Sequence, residues 1–100
     1  MDRQNIHERM VHLTDKLLYL NKNELLVFNQ ILGRQKTPDI SQISAELLIL
    51  PRVVENSLAQ LRRYNLLDSG PDFELTRDGE DAAVLAPLII RLRFEEDRVD

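Results

Sequence analysis

Residues 40–75, ISQISAELLILPRVVENSLAQLRRYNLLDSGPDFEL, constrain the fold more than any other stretch. They read as a helix, a tight turn, a second helix, and two short strands around a Gly-Pro tip. In the second helix, predicted over residues 51–65, each residue advances about 100° around the axis. Leu58, Leu61 and Asn65 then fall within about 40° of Val54 and form the expected buried stripe. The opposite face carries Arg52, Asn56, Ala59 and Arg63, with Gln60 on its shoulder. Arg, Asn and Gln have donor and acceptor forks that match base edges in the major groove. Ala59 is small at the centre, where a helix would have to approach closely. A polar outer face is also what any amphipathic helix shows.

The flanking segments are helical too. Ile6, Met10, Leu13, Leu17 and Leu20 recur at spacings of four and three, which predicts a first helix over residues 5–20. Val11, Thr14 and Leu18 widen its apolar stripe beyond one contact surface. Asn21 and Glu24 have capping-box spacing, with Asn23 an alternative cap, and open a helix with Leu25, Phe28, Ile31 and Leu32 inward. Gly33 is expected to end it. Thr37, Pro38 and Asp39 predict a turn, and Ile40 a short strand. Ser41 is the expected cap of the next helix, with Ile43, Leu47 and Leu48 inward. Pro51 suits a first helical turn, where no donor is needed.

Leu66 and Leu67 are expected to open a first strand, and Phe73, Glu74 and Leu75 to return as a second. Thr76 then caps a last helix over residues 77–95, with Asp78, Glu80 and Asp81 in its first turn as solvated acids, as the dipole prefers. Val84, Leu85, Leu88, Ile89, Ile90, Leu92 and Phe94 run almost around this helix. A domain of 100 residues does not bury them all. Pro87 should kink it near Ala83.

Composition narrows the function. There is no Cys, hence no thiolate zinc site and no cysteine nucleophile. The two histidines, His7 and His12, are about 140° apart on their helix and do not share a ligand. Gly33, Gly70 and Gly79 are scattered, so no phosphate loop is present. No metal or cofactor is expected, and an enzyme is the least supported class. The first ten residues carry charges of both signs without an apolar core, unlike a signal peptide. The longest apolar run, residues 82–90, is about half a membrane span. A cytoplasmic protein without a membrane partner is expected. The net charge of −4 argues against indiscriminate nucleic-acid binding. Over residues 34–65, however, Arg34, Lys36, Arg52, Arg62 and Arg63 oppose Asp39, Glu46 and Glu55, a local net of +2.

The order of elements, with ISQISAELLILPRVVENSLAQLRRYNLLD and FELTRDGED as its main segments, resembles the winged helix-turn-helix domain of MarR- and PadR-type transcription regulators. Leu75, Thr76 and Gly79 form the most family-like short motif. The resemblance covers nearly the whole chain and implies a mostly α fold with a small β wing and N- and C-terminal dimerisation helices. In that single domain residues 1–20 are the N-terminal helix, 21–76 the winged helix-turn-helix core, and 77–100 the C-terminal helix and tail. It implies double-stranded DNA as partner, contacted by Arg52, Asn56, Gln60 and Arg63, and Ser41 joins these as a candidate contact. It also implies a homodimer, with Ile6, Met10, Leu13, Leu17, Leu85, Leu88, Ile89 and Leu92 as interface candidates. The wing departs from the family pattern: Asp68, Asp72 and Glu74 are acidic and no base is present. This favours a wing held off phosphate. It also keeps open a second reading, a winged-helix module that docks another protein.

Overall fold

Capping boxes at the starts of the second and third helices fix two of the helix boundaries. The computed structural model describes residues 3–32, 39–70 and 72–96. Five helices follow in order: α1 (Arg3–Tyr19), α2 (Lys22–Ile31), α3 (Ile40–Leu47), α4 (Pro51–Arg63) and α5 (Arg77–Glu96). Asn21 caps α2 through the expected box. Its side chain accepts from the Glu24 N–H at 2.8 Å, and Glu24 accepts from the Asn21 N–H at 2.9 Å. A second box opens α3, built by Asp39 and Gln42 rather than by Ser41. Asp39 therefore caps two residues earlier than expected, and Ile40 becomes the first helical residue instead of a strand.

The turn between α3 and α4 closes on itself. The Ile49 N–H donates to the Ser44 carbonyl at 3.2 Å, and Ser44 Oγ donates back to the Ile49 carbonyl at 2.5 Å. This places Leu48 in the left-handed region at φ 58°, with its side chain 91% exposed rather than inward. Pro51 is in the first turn of α4, as its missing donor allows.

The β wing does not form. Among the described residues there is no strand, only one isolated antiparallel bridge between Leu67 and Leu75. Its bonds run from the Asp68 N–H to the Glu74 carbonyl at 2.8 Å and from the Thr76 N–H to the Leu66 carbonyl at 3.2 Å. Three features stop the ladder. Leu66 and Leu67 are buried consecutively, so the alternation of a strand is missing. Phe73 has φ 51°, outside the extended region. Arg62 takes the carbonyls of Asp68 and Gly70 at 3.2 and 3.1 Å and stacks over Phe73 at 5.2 Å. A two-stranded ribbon without a third strand is marginal in any case. The architecture is therefore helical, with a braced loop where a wing was expected. Gly33, Thr37, Pro38 and Pro71 lie outside the described residues.

One core draws on all five helices: Leu13 and Leu17, Leu25, Val27 and Phe28, Ile43, Val54, Leu58 and Leu61, then Ala82, Ala86 and Ile89. α2 packs most extensively on α4, and α1 on α5. Asn65, expected in the buried stripe of α4, is instead an exposed left-handed residue at φ 60° just past the helix end. Among the described residues no helix is long and apolar enough to cross a membrane.

α5 is anchored through its first turn. Thr76 Oγ1 accepts from the Gly79 N–H at 3.0 Å and donates to the Asn65 carbonyl. A Cβ on Gly79 would lie 2.0 Å from the Leu66 carbonyl oxygen, so only glycine permits this approach. The acids of this turn are not simply solvated. Arg9 bridges Asp78 and Asp81, both at 2.7 Å, and Lys16 reaches Asp78 at 3.4 Å. Burial alone would raise the Asp78 carboxyl. Hydrogen bonds from Arg9, Asn65 and Lys16 outweigh it and hold the group below the usual carboxylate range.

Candidate nucleic-acid interface

The outer face of α4 is set by its inner one. Val54, Ser57, Leu58 and Leu61 are buried, which turns Arg52, Glu55, Asn56, Ala59 and Arg63 to the surface and leaves Gln60 half-buried. Arg52, Asn56, Gln60 and Arg63 thus follow one another at intervals of four, four and three along one helix face. None of these four makes a side-chain hydrogen bond or ion pair among the described residues. Other bases are engaged: Arg9 and Lys16 on the α5 acids, Arg62 on the 68–74 loop, and Arg93 on the Leu20 carbonyl. Arg62 contributes to the sequence's local positive charge but spends it on the braced loop.

Asn56, Ala59, Gln60 and Arg63 form one wall of an open groove. The start of α2 forms the other, with Asn21, Asn23 and Glu24. Asn21 and Glu24 are consumed by their capping box, whereas Asn23 is exposed and adds an amide to the groove. Sequence reasoning treated Asn23 only as an alternative cap. Its place in the groove beside α4 comes from the packing of α2 on α4, which no local pattern encodes.

Ser41 is exposed in the first turn of α3 and is not a groove residue. Leu50 caps α4 without a side-chain acceptor, but Pro51 has no N–H and the Val53 and Val54 N–H groups donate to the Leu50 carbonyl at 2.9 and 3.2 Å, so the start of α4 offers little to an anion. Glu55 stands beside Arg52 and Asn56 and tempers the positive potential there. Over the described residues 39–65 the three bases Arg52, Arg62 and Arg63 balance the three acids Asp39, Glu46 and Glu55. Arg34 and Lys36, which carry the excess in the sequence, lie outside the described residues. In the 68–74 loop Asp68, Asp72 and Glu74 line a shallow acidic hollow.

The interface candidates on the terminal helices divide in two. Leu13, Leu17 and Ile89 belong to the chain's own core, and Met10 and Leu85 pack partly buried against it. Ile6, Leu88 and Leu92 are exposed, as are Val84, Val11 and Leu18. The exposed apolar surface is therefore real but narrower than the periodicity suggested, because α1 and α5 bury much of it against each other.

Comparison with protein families, with curated proteins and with solved structures finds no match.

Proposed function

We propose that this chain is a small dimeric DNA-binding transcriptional regulator that reads the major groove with α4. One observation carries the reading: the outer stripe of α4 offers Arg52, Asn56, Gln60 and Arg63 without side-chain partners among the described residues, around the small Ala59. Unengaged guanidinium and amide forks on a helix face are the groups that pair bidentately with guanine and adenine edges. α3 supports α4 from behind across the short turn, the arrangement of a helix-turn-helix. The 68–74 loop has no part in the contact, since its three carboxylates would face phosphate. Selection of binding sites from random duplex DNA tests the proposal. A recovered consensus whose affinity falls with salt supports it, and recovery of unrelated sequences contradicts it.

A second reading has its own support. Leu48 and Leu50, exposed at the turn leading into α4, and the acidic 68–74 loop are features of a surface that docks another protein. On that reading the same α4 face contacts a protein partner and shows no preference among duplexes.

A further inference from the structure

The exposed face of α5 carries an ordered pattern of charge. Taking Val84 as reference, Arg77, Glu80, Leu88, Arg91 and Glu95 all fall within about 40° of it. All six are exposed, with Val84 at 72% and Leu88 at 59%. Ala82, Ala86 and Ile89 lie on the opposite side of the helix and enter the core. The stripe reads base, acid, Val, Leu, base, acid, from one end of α5 to the other. Its apolar centre is left uncovered by the described residues.

We infer that a second copy of the chain covers this stripe, with the two α5 helices antiparallel about a two-fold axis near residue 86. In that register Val84 faces Leu88 of the second copy, Glu80 faces its Arg91, and Arg77 faces its Glu95. Every facing pair is thus apolar with apolar or acid with base, and the two-fold repeats each one, as an isologous interface requires. A parallel pairing would set Glu80 on Glu80 and Arg91 on Arg91, which repels. The pattern therefore selects both the occupant and its direction. Arg91 also contacts Glu95 of its own helix at 3.1 Å, with the two side chains 77% and 59% exposed. Such an exposed pair is weak and leaves both groups able to join a four-charge cluster across the axis. Leu92, at about 80° from Val84, flanks the stripe and extends its apolar area.

The inference deepens the dimeric part of the proposed reading and stands independently of what α4 binds. Sedimentation equilibrium of the full chain at low salt tests it. Glu80→Arg alone and Arg91→Glu alone should each weaken self-association roughly five- to tenfold, because two attractive pairs become repulsive. The double variant Glu80→Arg/Arg91→Glu should recover most of the wild-type association, since the exchange restores opposite charges. Both positions are exposed, and circular dichroism checks that each of the three variants keeps the fold. Orientation is read separately with engineered cysteines, for which the Cys-free chain is suited. Mixed Val84→Cys and Leu88→Cys chains should cross-link. Leu92→Cys alone should not, because its two copies would lie about 18 Å apart along the helices. A wild-type monomer at the highest soluble concentration overturns the inference. So do a dimer indifferent to the charge exchanges and efficient linkage of Leu92→Cys to itself. Duplex binding by α4 is scored in a separate assay, so failure here and failure there are distinguishable.

Discussion

At the scale of single residues, two positions hold the junction of α4 and α5. Gly79 lets the first turn of α5 press against the Leu66 carbonyl, where an added Cβ would come within 2.0 Å of backbone oxygen. Backbone on both sides leaves little room to yield. Gly79→Ala should therefore destabilise the fold by about 2 kcal/mol or more, measured by denaturant unfolding. Substitution of Asn29, exposed on α2, by Ala is the neutral comparison. Asp78 collects Arg9, Lys16 and Asn65, tying α1 to the start of α5. Its carboxyl is lower in the folded chain than in the unfolded one, so its stabilisation is full above the unfolded value, about 4. That stabilisation fades as pH falls through the folded value. Asp78→Asn should lower the melting temperature near neutral pH, and the gap from wild type should close as pH drops below about 4. An equal gap at every pH would mean that packing, not charge, sets the role of Asp78.

Among the elements, the helices were legible because their signals are local. The Asn21–Glu24 box, Pro51 in a first turn and Thr76 ahead of α5 all act where the sequence places them. The apolar residues Leu25, Phe28, Ile31, Val54, Leu58 and Leu61 are buried as their period requires. The wing was not legible, because its fate depends on Arg62, eight residues before Gly70 in the chain. Arg62 takes loop carbonyls that a ladder would use, and its stacking on Phe73 accompanies a left-handed backbone there. Asn65 misled for a related reason: it falls in the inward angular window of α4, but the helix ends before it. Of the candidate site, the α4 stripe was readable from the helical period, whereas the facing wall of α2 with Asn23 needed the tertiary packing. A braced, acidic loop leads to a prediction of its own. Asp72→Asn with Glu74→Gln should leave duplex affinity unchanged or raise it, since charge near phosphate is removed. A clear loss of affinity, read by fluorescence anisotropy, would show that these carboxylates make needed contacts.

For the whole molecule, the proposed function rests on one face of α4 reading DNA. On that account Arg52 pairs with a base edge near the start of α4. Arg63, eleven residues further along the same stripe, pairs with phosphate. Equilibrium binding of wild type, Arg52→Ala and Arg63→Ala to the selected duplex and to random duplex, across a salt series, separates these roles. Both positions are exposed, and an unchanged melting temperature is the control. Arg52→Ala should cost about 1–3 kcal/mol on the selected site and relax the preference at one base. Arg63→Ala should weaken all sequences alike and reduce the salt slope by about one per subunit. Two variants that bind as wild type does, or a wild type with no preference for any duplex, would contradict the account and direct the same α4 face to a protein partner.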